Sequence, residues 1–73
     1  MRDRILHVMS QVLGMPPEQL NNDSSIETVE DWDSLKHMNL IMALEESFSV
    51  RLSDSEVLEM MSVKSIVEIM EKK

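Results

Sequence analysis

The sequence predicts an all-α fold, namely a small four-helix bundle of three longer helices and one short helix, with a long ordered loop between helices 1 and 2. Apolar residues recur at helical spacing along most of the chain. One Gly and two Pro among 73 residues leave few interruptions. A hydrophobic content of 42% suits a packed core. We expect residues 1–73 to form a single domain.

The first helix is predicted to span residues 2–13, where apolar side chains fall on one helical stripe. The stripe consists of Ile5, Leu6, Val8, Met9, Val12 and Leu13. Gly14 follows as a C-cap, and Pro16 and Pro17 block any continuation of the helix. The helix should therefore end near residue 13.

Residues 15–33 form a polar stretch that is long for a connection in so small a domain. Its scattered apolar residues are Leu20, Ile26, Val29 and Trp32. We interpret the stretch as an ordered crossing loop held against the bundle by these residues, with Trp32 as the anchor. A connection of this length allows the neighbouring helices to run parallel.

The second helix is predicted from Ser34 to Ser47. Its stripe is Met38, Ile41, Leu44 and Phe48, flanked by Leu40. Asp33 precedes it and is a good N-cap, because its carboxylate can accept bonds from the first free backbone amides. Ser34 then takes the first helical position with its hydroxyl outward. His37 falls on the core-facing side, and we expect it to pack under the loop as a structural histidine.

Two capping signals predict the remaining helices. "SDSE" at residues 53–56 is a capping box, so a short third helix should begin there and carry Val57, Leu58 and Met60. Ser62 is a plausible cap for a fourth helix. The apolar face of that helix is Val63, Ile66, Val67, Ile69 and Met70.

The charge balance and the missing residue types exclude several classes of function. A formal net charge of -7 disfavours nucleic acid and anionic membranes, and it favours partners with basic patches. The chain has no Cys, no apolar run long enough to cross a membrane and no signal-peptide core. We therefore expect a cytoplasmic location without membrane insertion and, by default, a monomer. With only His7 and His37 and no Gly-rich phosphate loop, neither an enzyme nor a metal site is predicted.

The position of Ser34 is favourable for a phosphate ester, because a helix N-terminus offers unpaired amides and the positive end of the helix dipole. "DSL" at residues 33–35 is followed by "MALEESF" at residues 42–48. These residues resemble the acyl carrier protein family. The predicted order of helix, long loop, DSL-headed helix, short helix and final helix extends the resemblance over nearly the whole chain.

The resemblance implies a carrier function. Ser34 would carry 4'-phosphopantetheine, which a separate phosphopantetheinyl transferase takes from coenzyme A. The thiol of this arm would hold an acyl group as a thioester and present it to partner biosynthetic enzymes. Asp33 matches the family residue that helps to present the serine and metal-bound coenzyme A to the transferase, so any metal belongs to that encounter and is not stored in this chain.

The resemblance also implies a partner-binding face on the second helix. Glu45 and Glu46 match acidic residues that meet basic patches on loading and acyl-using enzymes. Leu35 and Met42 are seven residues apart, so they lie within about 20° of each other on the helix. In the family, Leu and Met at these positions make apolar contacts with partners. We also assign Lys36 to this face, because its positive charge would repel a basic patch on a general fatty-acid enzyme.

Several residues depart from the fatty-acid pattern and indicate a specialised carrier. Lys36, Asn39 and Ser47 stand where those carriers usually have acidic residues. "WDSL" at residues 32–35, with His37, looks more like carriers of dedicated lipid, polysaccharide-modification or secondary-metabolite pathways. Five methionines were candidates either for ordinary core filling or for an interior that adapts to an acyl chain. They are Met38, Met42, Met60, Met61 and Met70.

Two alternative functions stay open on the sequence. An aminoacyl or peptidyl carrier would have the same fold and the same modified serine. An unmodified interaction domain would never carry an arm. A calcium sensor is excluded, because the stretch from Asp31 has Leu35 at a ligand position and Lys36 where the calcium loop needs glycine.

Overall fold

The computed structural model describes residues 2–73 and confirms the predicted all-α bundle of three longer helices and one short helix. The helices are α1 (Arg2–Leu13), α2 (Ser34–Phe48), α3 (Asp54–Glu59) and α4 (Val63–Glu71), with a 3-10 turn at Pro17–Gln19. Within the described residues the only extended pairing is an isolated bridge between Ser25 and Ser62. The longest dimension is 26 Å.

The core lies between α1, α2 and α4. Its least exposed side chains are Ile5, Met9, Leu13, Trp32, Leu40, Leu44, Met60, Val63, Ile66 and Met70. These residues come from the three longer helices, from the end of the loop and from the residue that follows α3. None of the residues within α3 is fully buried. The short helix therefore covers the core from outside, and the three longer helices enclose it.

The predicted first helix and its cap are confirmed. Gly14 has a φ of 72°, the left-handed conformation that glycine adopts without a steric penalty. Its amide donates to the carbonyl of Ser10 at 2.8 Å, which satisfies a carbonyl in the last turn. The chain then turns away from the helix axis into the loop.

The predicted ordered loop is also confirmed. Leu20 and Trp32 are buried, with 5% and 1% of their surface exposed, so the loop is anchored to the core by apolar contacts. Hydrogen bonds fasten it to the start of α4. The amide of Ile26 donates to the carbonyl of Met61 at 3.0 Å, and the amide of Val63 donates to the carbonyl of Ser24 at 2.9 Å.

One predicted core residue, Met38, is wrong, and Leu58 on α3 is exposed as well. Met38 is 52% exposed, because the core-facing stripe of α2 passes through His37, Leu40, Ile41 and Leu44 instead. His37, one residue before Met38, is the side chain that points into the core at this level of the helix. Leu58 is 69% exposed, because it lies on the outer side of α3, while its neighbour Val57 is half-buried.

The second helix ends at Phe48, one residue beyond the predicted end. Ser49 follows in the left-handed conformation, with a φ of 54°, and its amide donates to the carbonyl of Glu45. The guanidinium of Arg4 lies 4.6 Å from the centre of the Phe48 ring and also donates to the carbonyl of Ser47. A cation at the negative end of the helix dipole is favourable, so α1 stabilises the end of α2.

Both predicted caps in the C-terminal half are confirmed. The hydroxyl of Ser53 accepts from the amide of Glu56 at 3.2 Å, while the Glu56 carboxylate accepts from the amide of Ser53 at 2.9 Å. Ser62 caps α4 by accepting from the amide of Ser65. The Glu56 carboxylate also accepts from the ammonium of Lys73 at 2.8 Å, which links α3 to the end of the chain.

The contact with Lys73 makes stability depend on pH through Glu56. Its hydrogen bond with Lys73, followed by the one with the Ser53 amide, lowers the pKa of Glu56 from its ordinary value of 4.5. A lowered folded-state pKa contributes stability above the unfolded value, and that contribution is lost as pH falls through the folded value. We expect the Glu56→Gln variant to be less stable than wild type at pH 7 and to approach wild type as pH falls below 4.5.

Urea unfolding followed by circular dichroism at a series of pH values measures this difference. The Lys73→Met variant removes the same hydrogen bond by deleting its donor. Its stability should likewise approach that of wild type at low pH. A difference between wild type and Glu56→Gln that stays constant across the series would contradict the assignment.

Candidate functional site

Ser34 is the first residue of α2, and its side chain is exposed. Asp33 holds the turn that presents it. One carboxylate oxygen of Asp33 accepts from the amide of Lys36 at 2.8 Å, and the Asp33 carbonyl accepts from the amide of His37 at 2.8 Å. The predicted N-cap role of Asp33 is confirmed. Asp33 is itself exposed, so an acidic group and a hydroxyl lie together at the surface.

A buried hydrogen-bonded chain supports this turn from below. Trp32 donates from its indole nitrogen to Nδ1 of His37 at 3.0 Å, and the two rings stack with centres 5.9 Å apart. Nε2 of His37 lies 3.1 Å from the carbonyl of Val57 in α3. Because an indole only donates and a carbonyl only accepts, His37 is the neutral tautomer with its proton on Nε2. The predicted structural roles of Trp32 and His37 are confirmed.

Lys36 has a contact that the sequence did not reveal. Its ammonium lies 3.5 Å from the carbonyl of Val12 in the last turn of α1, and the side chain is half-buried. The last turn of α1 has no basic residue of its own. Lys36 therefore supplies the cation at the negative end of the α1 dipole. Its charge is drawn toward α1 and away from the outer face of α2.

The Lys36→Met variant should lose about 0.3–1 kcal/mol more unfolding free energy than the variant of a control lysine that, like Lys36, lies in the first turn of its own helix but reaches no helix C-terminus. The matched control is Lys64→Met. Lys64 is exposed in the first turn of α4, where a cation meets the positive end of the dipole, so its removal should cost nothing. Urea unfolding at low ionic strength measures both values. Equal losses in the two variants would refute the dipole contact.

The predicted partner face is only partly free. Leu35 is 70% exposed and Met42 is 62% exposed, and Glu46 is exposed near them on α2. Glu45 is half-buried, and its carboxylate accepts from the amide of Leu52 at 2.9 Å. Of the two acidic residues on α2, one is thus engaged in holding the connection to α3.

A shallow cleft of about 450 Å³ lies beside Met42. Its lining residues are Met42, Glu45, Glu46, Val50 and Arg51. Arg51 is exposed and brings a positive charge to the rim of this acidic surface. No local signal in the sequence points to Arg51, because it lies outside the helices and its place in the cleft depends on how the connection folds back on α2.

The five methionines considered as a lining for cargo do not share one environment. Met60 and Met70 are buried at 0% and 1% exposure and pack in the core. Met61 is half-buried, while Met38 and Met42 are exposed. For Met60 and Met70 the structure favours ordinary core filling. The exposed Met38 and Met42 do not face the interior.

The surroundings of Ser34 fit a phosphate ester. An exposed hydroxyl at the first position of a 15-residue helix can be modified without disturbing the core. The positive end of the helix dipole lies beside it, which favours a phosphate there. The Asp33 carboxylate is turned to the Lys36 amide and so holds the hydroxyl on a fixed turn. None of the helices within residues 2–73 has the length and apolar character that crossing a membrane requires.

Comparisons with known proteins agree with this site. Residues 3–70 match the family described as "Phosphopantetheine attachment site". An acyl carrier protein of Buchnera aphidicola subsp. Baizongia pistaciae is 35% identical over 69 residues, covering 94% of this chain and 88% of that protein. One from Campylobacter curvus is 36% identical over 72 residues, covering 96% of this chain and 91% of that protein.

A solved structure shows the same fold. The solution structure of a holo acyl carrier protein from Geobacter metallireducens superposes with a TM-score of 0.87 at 28% identity, covering 99% of this chain and 83% of that one. The family match extends over most of the chain, and the predicted resemblance is thereby confirmed. The chain belongs to the acyl carrier protein family and is a carrier protein, not an enzyme.

Proposed function

We propose that Ser34 is the residue to which 4'-phosphopantetheine is attached. The observation that carries this proposal is the exposed Ser34 hydroxyl on the turn that Asp33 fixes at the start of α2. When bound, the group supplies a thiol that holds an acyl chain as a thioester. Ser34 acts as an acceptor of the group and needs no adjacent base, since the transferase performs the chemistry.

The chain contains three Asp-Ser pairs, and their surroundings differ. Ser24, after Asp23, is buried, and its hydroxyl accepts from the amide of Asn21 at 3.0 Å. Ser55, after Asp54, is exposed but lies on a helix of six residues. Ser34 alone combines an exposed hydroxyl with the start of a long helix. This difference favours Ser34 among the three.

Partner enzymes are expected to dock beside Ser34. Leu35 and Met42 offer exposed apolar contacts, and Glu46 offers a charge for a basic patch. Glu45 contributes its negative charge while it also holds the Leu52 amide. In the same way, Asp33 helps to present the hydroxyl to the phosphopantetheinyl transferase while it caps α2.

We further propose that the carrier serves a dedicated lipid, polysaccharide-modification or secondary-metabolite pathway. The support is the weak negative charge of the outer face of α2, where Glu46 is the only fully exposed acid. Exposed Arg51 adds positive charge nearby, which disfavours an enzyme that relies on a strongly basic patch. An aminoacyl cargo stays an alternative. The single domain, the monomeric state and the cytoplasmic location stay predictions.

Intact-protein mass spectrometry tests the attachment. The protein is incubated with coenzyme A, magnesium and a broad-specificity phosphopantetheinyl transferase. We expect a mass gain of one phosphopantetheine, mapped to a peptide that contains Ser34. A gain on Ser24 or Ser55 would refute the site. No gain with any transferase, in a sample shown to be folded, would make an unmodified interaction domain the leading function.

A further inference from the structure

The weakest wall of the bundle is α3. It spans only Asp54–Glu59 and has no fully buried residue, whereas each of the other helices contributes several. A chain tethered at Ser34 that was drawn into the core by its apolar surface would meet least resistance between α2 and α3. If a cargo chain can pass between α2 and α3, it can lie inside the bundle, and if it cannot, the cargo stays outside.

Two hydrogen bonds, one near each end of α2, link this helix to α3 and to the connection that leads into α3. At one end Nε2 of His37 donates to the carbonyl of Val57 at 3.1 Å. At the other end the carboxylate of Glu45 accepts from the amide of Leu52, two residues before α3 begins, at 2.9 Å. We name the contact between these two bonds the α2–α3 seam.

The core beneath the seam is apolar, and none of the buried polar side chains in the described part of the chain is left free to pair with a displaced group. Leu40, Leu44 and Met60 have 0% of their surface exposed. Within residues 2–73, no buried side-chain nitrogen or oxygen lacks a hydrogen-bond partner. A chain that pushed α3 aside would break the part-buried bond between His37 and the Val57 carbonyl and leave a ring nitrogen of buried His37 without its partner. Unpaired buried polar groups are strongly disfavoured, so the bonds oppose entry.

His37 is particularly well placed to block the seam. It lies three residues after Ser34, which is about one helical turn, and its side chain faces inward with 5% exposure. Trp32 stacks on the ring and donates to its other nitrogen, so the ring is held from two sides. Rotating the ring out of the way would break two hydrogen bonds and one stacked contact.

On the basis of the proposed attachment at Ser34, we infer that the α2–α3 seam is closed to cargo and that this carrier takes short or polar acyl groups, which stay outside the bundle. A long alkyl chain gains from burial in proportion to its methylene groups, and only an interior that opens can provide that burial. A short or polar group gains little, so a closed seam costs such a cargo nothing.

The test compares butyryl and octanoyl groups, loaded from their coenzyme A thioesters by a broad-specificity transferase and checked by mass. The first readout is the methyl resonance of Met60, which is buried behind the seam, with exposed Met42 as the reference. The second is the rate of thioester cleavage by hydroxylamine. For wild type we expect the Met60 resonance to be the same with both groups and the two cleavage rates to agree within about twofold.

Opening the seam should allow the octanoyl group to enter. In the His37→Ala/Glu45→Ala variant we expect a shifted Met60 resonance and octanoyl cleavage slowed more than about tenfold relative to butyryl, because each buried methylene shifts an equilibrium about fourfold. The matched control is His7→Ala/Glu68→Ala, which removes an exposed histidine and an exposed glutamate. It should behave like wild type. If the double variant does not fold, the single variants His37→Ala and Glu45→Ala replace it.

Two results would overturn the inference. One is octanoyl protection or a Met60 shift in wild type. The other is an opened variant that behaves like the control. If the transferase attached neither acyl group, that result would count against the proposed function. The seam would then be tested with an alkyl group attached by chemical labelling. Because the chain has no Cys, the thiol of a Ser34→Cys variant can be labelled selectively with butyl or octyl methanethiosulfonate, which transfers its alkylthio group to the thiol and releases methanesulfinate. A shift of the Met60 resonance with the octyl but not with the butyl group would refute a closed seam.

Discussion

Replacing Ser34 with alanine is expected to abolish attachment of phosphopantetheine and to leave the fold intact. The side chain is exposed and starts α2, and alanine is a favourable helix residue, so the unfolding free energy should change by less than about 0.5 kcal/mol. Loss of the proposed acceptor hydroxyl should reduce the mass gain from complete to undetectable. Intact-protein mass spectrometry with circular dichroism on the same samples measures both effects.

Ser55→Ala is the matched control for this prediction. Ser55 also follows an aspartate, lies in the first turn of a helix and is exposed. We expect this variant to be modified as completely as wild type. Uptake of the arm by Ser34→Ala would show that another residue accepts it, and loss of uptake in both variants would indicate that the transferase needs more of the surface than the Ser34 turn.

Replacing Trp32 is expected to have the largest effect on stability. Trp32 is 1% exposed, and truncation of a buried aromatic residue to alanine costs about 3–5 kcal/mol. Small domains are stable by on the order of 5 kcal/mol, so Trp32→Ala should keep at most about 2 kcal/mol of unfolding free energy and should unfold at very low urea. The result matters for function, because the same residue holds His37 in the chain of bonds that supports the Ser34 turn.

Trp32→Phe separates the hydrogen bond from the packing. Phenylalanine keeps most of the apolar contact but leaves Nδ1 of His37 without its donor, which should cost about 1–3 kcal/mol. His7→Ala, at the exposed histidine, should change stability by less than about 0.5 kcal/mol. Urea unfolding must be followed by circular dichroism, since Trp32 is the only tryptophan. A Trp32→Phe variant as stable as wild type would show that the bond to His37 contributes nothing.

Local features of the fold were predictable from the sequence. The caps at Asp33, Ser53 and Ser62 and the left-handed Gly14 all appear where the sequence places them. Each of these signals acts between residues no more than four positions apart. Their geometry is therefore set as soon as the helix forms, whatever the rest of the chain does.

Exposure was harder to predict where two helical faces meet. Met38 and Leu58 are apolar and fit a stripe, yet each is more than half exposed. Met38 and His37 are adjacent on α2, so they face different directions, and it is the predicted inward-facing His37 that lies inside the core. Its two hydrogen bonds, to Trp32 and Val57, make that burial possible, and neither partner can be identified from local sequence.

The sequence by itself determined the helices, their caps and the position of Ser34 at the start of α2, because these depend on neighbours along the chain. Only the tertiary structure decided which side chains are free to act. Lys36 reaches Val12 in another helix, and Glu45 reaches the amide of Leu52 beyond the end of its own helix. Such contacts form only when helices are packed at a particular angle and distance, so the partner face and the α2–α3 seam could be defined only in the folded bundle.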